Sequence, residues 1–217
     1  MTYEIHDHHI HVPRAARYAT LGDGREEIES VWFLLHGYGQ LAREFLESAR
    51  ALAASTRLVV APEALSRFYL EDHQRVGASW MTREDRLTEI DDYVRYLDLT
   101  HDQIMKVCAP TASKVNVLGF SQGVATATRW AIRGQAEVGH LVLWGSPLPH
   151  ELAEPSELAS LRRMRVTLVG GNRDRFLDEA AWDGERQRLR AADVAFEELH
   201  FEGGHRLDDD TLRKIPV

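Results

Sequence analysis

Chemistry first shows itself at Gly119-Phe120-Ser121-Gln122-Gly123, a G-x-S-x-G pentapeptide. It follows the apolar run VNVLGF (115–120) and precedes VATATRWAIR, an amphipathic stretch that stops at Gly134. Strand, serine, helix in that order is a nucleophile elbow, in which the turn throws the serine hydroxyl above the sheet. The turn needs small residues two positions to either side, and Gly119 and Gly123 supply them. The same letters on a glycine-rich turn elsewhere would be incidental, so partners decide the reading.

A serine hydroxyl needs a base to take its proton and a group to orient that base. Of eleven histidines, His205 is the best placed, since FEGGHRL follows the last apolar run directly. Asp174 ends Gly170-Gly171-Asn172-Arg173-Asp174, after the run VTLVGG. Asp178 is the competing acid, but its position ahead of EAAWDGERQRLR suits a helix cap. Ser121, Asp174 and His205 then follow the chain order Ser, Asp, His of this class of site. An oxyanion needs two N–H donors, expected from Gln122 after the serine and from Tyr38 in His36-Gly37-Tyr38-Gly39 after an early strand. His36 itself is expected to orient that loop.

These residues need a scaffold. Runs at 31–35, 58–62, 115–120, 140–145, 166–171 and 194–201 have the length of buried strands. Between them, LAREFLESARALAAS, RLTEIDDYVRYLDLTHDQIM and DEAAWDGERQRLRAAD repeat apolar residues every three or four positions, as helices do. Alternation of the two predicts an α/β fold, a mostly parallel sheet with helices on both faces. EIHDHHIHVP and RYATLG are expected to form an antiparallel hairpin at the sheet edge. About twenty residues separate Gly145 from the next strand, room for one helix and no large lid.

With 217 residues the chain is expected to form a single domain, 1–217. A net charge of −8 excludes ordinary nucleic-acid or anionic-lipid binding, and no apolar stretch has the length of a membrane span, so no stable membrane insertion is expected. One cysteine, Cys108, fits a reducing, cytoplasmic location, and it lies outside the elbow, which disfavours a cysteine nucleophile. On a strand, His6 and His8 would face away from His9 and His11, so no metal site is expected.

LLHGYG (34–39), APEA (61–64), ASW (78–80), GFSQG (119–123), the segment ending at Asp174 and GGH (203–205) resemble the phospholipase/carboxylesterase family of α/β-hydrolases, which includes acyl-protein thioesterases. The resemblance covers most of the chain and GFSQG is its most specific part. It implies an α/β-hydrolase fold and ester or thioester hydrolysis without metal or organic cofactor. It also implies that Trp80 and Met81 line the acyl or alcohol pocket. Family members often carry aspartate where Gln40 stands and a small aliphatic residue near Phe176, so Phe176 is expected to reshape the substrate pocket. The reading is a serine carboxylesterase for short- to medium-chain esters, acting on small molecules and compatible with a homodimer. The alternatives are a thioesterase or lysophospholipase with the same triad, or a ligand-binding protein whose triad is idle.

Overall fold

The computed structural model describes residues 3–22, 27–71, 73–108, 114–152 and 154–216. Its main sheet has the order β1-β3-β2-β6-β7-β8-β9, built from Tyr18–Leu21, Arg57–Pro62, Ser30–Leu35, Val115–Phe120, Val138–Trp144, Arg165–Gly171 and Phe196–Phe201. All neighbours pair in parallel except β1, which runs antiparallel to β3 at one edge. The central strands were legible because both faces are covered, which makes each a nearly continuous apolar run, while the edge strands β1 and β9 are part exposed.

Successive residues feed two cores. Val31, Phe33, Leu35, Val117, Leu141, Leu143, Val166 and Leu168 pack with α2 (Arg86–Cys108), α3 (Gln122–Arg133) and α4 (Glu179–Ala191). Trp32, Leu34, Leu118, Val142, Trp144 and Val169 pack with α1 (Ala42–Ser48) and α5 (Asp209–Lys214). The predicted helix after β2 divides into α1 and a 3₁₀ turn at Arg50–Leu52.

Three expectations change. RYATLG supplies β1, but its partner is β3, not EIHDHHIHVP, and residues 3–17 have no strand structure. That arm is fastened by an ion pair and a hydrogen bond instead: Arg17 Nε donates to Glu63 Oε1 at 2.6 Å, and His9 Nε2 meets Asp85 Oδ2 at 2.8 Å. The connection from β7 to β8 carries only a 3₁₀ turn at Ala159–Arg163 among the described residues, because Pro147, Pro149 and Pro155 interrupt any longer helix. Finally, a two-stranded sheet absent from the sequence reading, β4 (Ser66–Tyr69) with β5 (Val76–Ser79), stands beside the Tyr38 loop. Among the described residues no group of three or more His, Cys, Asp or Glu is placed to hold a metal, and no helix is long and apolar enough to cross a membrane.

Candidate active site

Ser121 sits between β6 and α3 with φ 54° and ψ −119°, a conformation that L-residues rarely adopt. Close approach of chain to chain enforces it. A Cβ on Gly119 would lie 2.4 Å from Gly123 O, and one on Gly123 would lie 2.0 Å from Leu35 O. Glycine at both positions therefore lets helix, strand and the neighbouring β2 meet at the turn.

The Ser121 N–H donates to Trp144 O at 2.9 Å, so the elbow is tied to the end of β7. The next residue there, Gly145, has φ +72°, and a Cβ on it would come within 3.3 Å of His205 Cε1 and Nδ1 and 3.4 Å of Asp174 Oδ2. Gly145 is thus the floor under the histidine–aspartate pair, a role that no sequence signal marked. His205 Nδ1–H donates to Asp174 Oδ2 at 2.8 Å, which leaves Nε2 free of that bond. The other carboxylate oxygen accepts from Phe176 N–H at 2.9 Å, and the Asp174 side chain is only 2% exposed. Two aromatic rings hold the imidazole: Phe120 at 4.8 Å and Phe176, edge-on, at 4.7 Å between ring centroids. Asp178 lies elsewhere and caps α4, accepting from Ala181 N–H at 2.9 Å.

The Tyr38 loop faces the serine across Gly37, where a Cβ would stand 3.2 Å from Ser121 Cβ. Both neighbours of the Tyr38 N–H are engaged: Gly37 donates to Gln40 Oε1 at 2.8 Å and Gly39 to Ala78 O at 2.9 Å. Gln122 opens α3, so its N–H is one of those a helix leaves without an internal acceptor. His36 is fully buried; its Nδ1–H donates to Gly37 O at 2.8 Å and its Nε2 accepts from Ala64 N–H at 3.1 Å. Burial pushes the His36 pKa down, so it stays a neutral strut for the loop.

Beneath it Glu63 accepts from Arg17, Arg67 and the Ala42 N–H at the start of α1. Burial opposes its charge, but the hydrogen bond from Arg17 and the other donors outweigh it and hold the carboxyl below its ordinary range.

The three residues expected to bind substrate separate. Phe176 is 57% exposed beside His205, with the Arg175 guanidinium 4.8 Å from its ring. Met81 is partly buried, its carbonyl accepting from Gln122 Nε2 at 3.0 Å. Trp80 is 3% exposed and packs on His36, its indole N–H donating to His36 O at 2.8 Å. One edge of Trp80 reaches a cavity of about 680 Å³ between α2 and the amino-terminal arm.

Sheet order, elbow and the positions of these loops at the carboxyl ends of the strands define an α/β-hydrolase fold. Solved structures agree. Esterase PE8 is 18% identical, with 91% of this chain and 94% of that one covered and a TM-score of 0.68. Acyl-protein thioesterase 2 of Zea mays is 17% identical, with 93% and 96% covered and a TM-score of 0.66. SOBER1 of Arabidopsis thaliana is 18% identical, with 86% and 95% covered and a TM-score of 0.66. No protein-family model and no curated protein sequence matches the chain.

Proposed function

We propose that this chain is a serine carboxylic ester hydrolase with Ser121 as nucleophile, His205 as base and then acid, and Asp174 as the orienting carboxylate. The observation that carries the reading is the 2.8 Å His205–Asp174 pair, standing on Gly145, whose preceding carbonyl holds the strained Ser121 N–H. The fold shared with an esterase and an acyl-protein thioesterase supports it.

In the reaction, Ser121 Oγ bonds to the ester carbonyl carbon while its proton passes to His205 Nε2. The carbonyl π electrons move onto oxygen, and the Tyr38 and Gln122 N–H groups stabilise that oxyanion. The imidazolium, steadied by Asp174, returns its proton to the departing alcohol. Water then attacks the acyl-enzyme by the same sequence, releasing the acid and Ser121. Phe176 packs on His205 and Met81 on the Gln122 side chain, and with no large lid among the described residues the site suits short to medium acyl chains.

The test is labelling with a fluorophosphonate followed by p-nitrophenyl esters from acetate to palmitate, with the matching thioesters in parallel. Labelling confined to Ser121 and hydrolysis abolished by Ser121→Ala are expected. Absence of labelling with intact fold would favour the ligand-binding alternative, and a marked thioester preference would favour the thioesterase.

A further inference from the structure

We infer that the β4–β5 hairpin is the bar that sets the spacing between the two oxyanion donors, and that the Gln122 side chain is a positioning residue locking it. The inference rests on the esterase reading and adds to it a residue whose side chain acts through its neighbours.

Strand β5 and the three residues after its Ala78 touch both halves of the oxyanion site. On the Tyr38 side, Gly39 donates to Ala78 O at 2.9 Å, and Gln40 bridges to Ala78. The backbones are in direct contact, since a Cβ on Gly77 would lie 2.6 Å from Gly39 O and 2.7 Å from Gly39 Cα. On the elbow side, the Gln122 amide is fully engaged with the next three residues. Its Oε1 accepts from Trp80 N–H at 3.1 Å, and its Nε2 donates to Ser79 Oγ and Met81 O, both at 3.0 Å. A third tie runs behind, where the Trp80 indole holds His36 O at the root of the Tyr38 loop.

The geometry has a clear consequence. Tyr38 and Gln122 come from different strand ends, and a short loop has no reason of its own to hold one N–H at a fixed distance from another. A backbone strand bonded to the first and clamped by the side chain of the second supplies that reason. Because the stabilisation of an oxyanion depends on donors already in place, loss of the clamp should weaken the transition state more than substrate binding.

The experiment compares the parent with Gln122→Met, which keeps length and the backbone N–H but loses all three bonds, and with Gln122→Glu, which keeps the acceptor for Trp80. Readouts are kcat, KM, thermal melting and inhibition by an alkyl trifluoromethyl ketone. That ketone adds Ser121 Oγ to its carbonyl carbon, giving up the serine proton to His205 and placing an oxyanion between the donors. In Gln122→Met, kcat should fall about tenfold to a hundredfold with KM within about twofold, and ketone affinity should fall in step. Gln122→Glu keeps the Trp80 bond but sets a carboxylate against Met81 O and beside the oxyanion, so it should lose at least as much in both. Gly77→Ala, which presses on Gly39 from the other side, should share the effect, so the double variant with Gln122→Met loses less than the product of the single losses.

A folded Gln122→Met with kcat within about twofold of the parent, or with kcat lowered but ketone affinity unchanged, overturns the inference and leaves the esterase reading standing. If Gln122→Met does not fold, Gly77→Ala decides by the same two readouts. A parent with neither hydrolysis nor labelling at Ser121 overturns both.

Discussion

Acid should unfold this protein through His140, at the opposite end of the sheet from the proposed active site. The ring is 4% exposed, edge-on to Trp32 at 5.8 Å between centroids, with Nε2 2.8 Å from Thr167 Oγ1. Burial, aided by the charge of Arg165, lowers its pKa from 6.5 to about 4, with a hydrogen bond to the Pro216 backbone opposing the shift. The unfolded chain therefore binds this proton first as pH falls. The contribution of His140 to stability is complete above its unfolded pKa and drains away as pH falls toward the folded one. Two-state linkage across that window gives a loss of about 2 kcal/mol by pH 5 and about 3 kcal/mol by pH 4, relative to neutral pH. Buried His36 pulls in the same direction. The assay is urea unfolding at a series of pH values, for the parent and for His140→Gln, whose amide cannot titrate. Carboxylates and His36 are common to both proteins, so the difference between the curves isolates His140. The variant should be less stable at neutral pH, having lost ring packing, but should close most of that gap by pH 4. Parallel curves from pH 7 to 4 would refute the argument. Turnover at pH 5 should be read beside recovery on return to neutral pH, which separates unfolding from a direct effect on the reaction.

Further outcomes follow from the site. Asp174→Asn should lower kcat by roughly a hundredfold or more with little change in KM, while Asp178→Ala, which removes the α4 cap, should cost about 1 kcal/mol of stability and spare turnover, as kinetics and melting of both will reveal. Gly145→Ala places a methyl against the imidazole and demands positive φ of a residue with a Cβ, so it should cost about 1–2 kcal/mol in denaturant melts and slow turnover by more than the stability loss explains. The loop after β7 is pinned by Arg188, whose guanidinium donates to Leu148 O, Pro149 O and Leu152 O and pairs with buried Glu185. Hydrolysis should accordingly rise smoothly with ester concentration through its solubility limit; a sharp jump there would reveal a moving cover.

What could be read in advance followed from local physics. Strands buried on both faces announce themselves as apolar runs, and the elbow as a serine between glycines at a strand-to-helix joint. Asp174 and Asp178 were separable because one precedes a helix and the other ends a strand loop. The β4–β5 pair was not legible, since Ser66–Tyr69 is half exposed and its partner strand is fixed by contact with Gly39, far away in sequence. Gly145 looked like an ordinary strand end because its meaning depends on His205, sixty residues later. The Gln122 amide likewise works on residues that come earlier in the chain. By contrast, the three prolines after β7 were visible and argued against the helix expected there.

The left-handed backbone at Ser121 ties function to thermodynamic load. A residue with a Cβ is held there by packing that the rest of the domain must sustain, at a cost of about 1–3 kcal/mol in a protein whose whole margin is about 5–15 kcal/mol. Glycine at that position would relax the turn and yield a stabler but chemically silent chain. Selection for stability alone would therefore erase the proposed nucleophile. Mutations that erode either core bring the elbow nearer to its limit before they touch any group in the site.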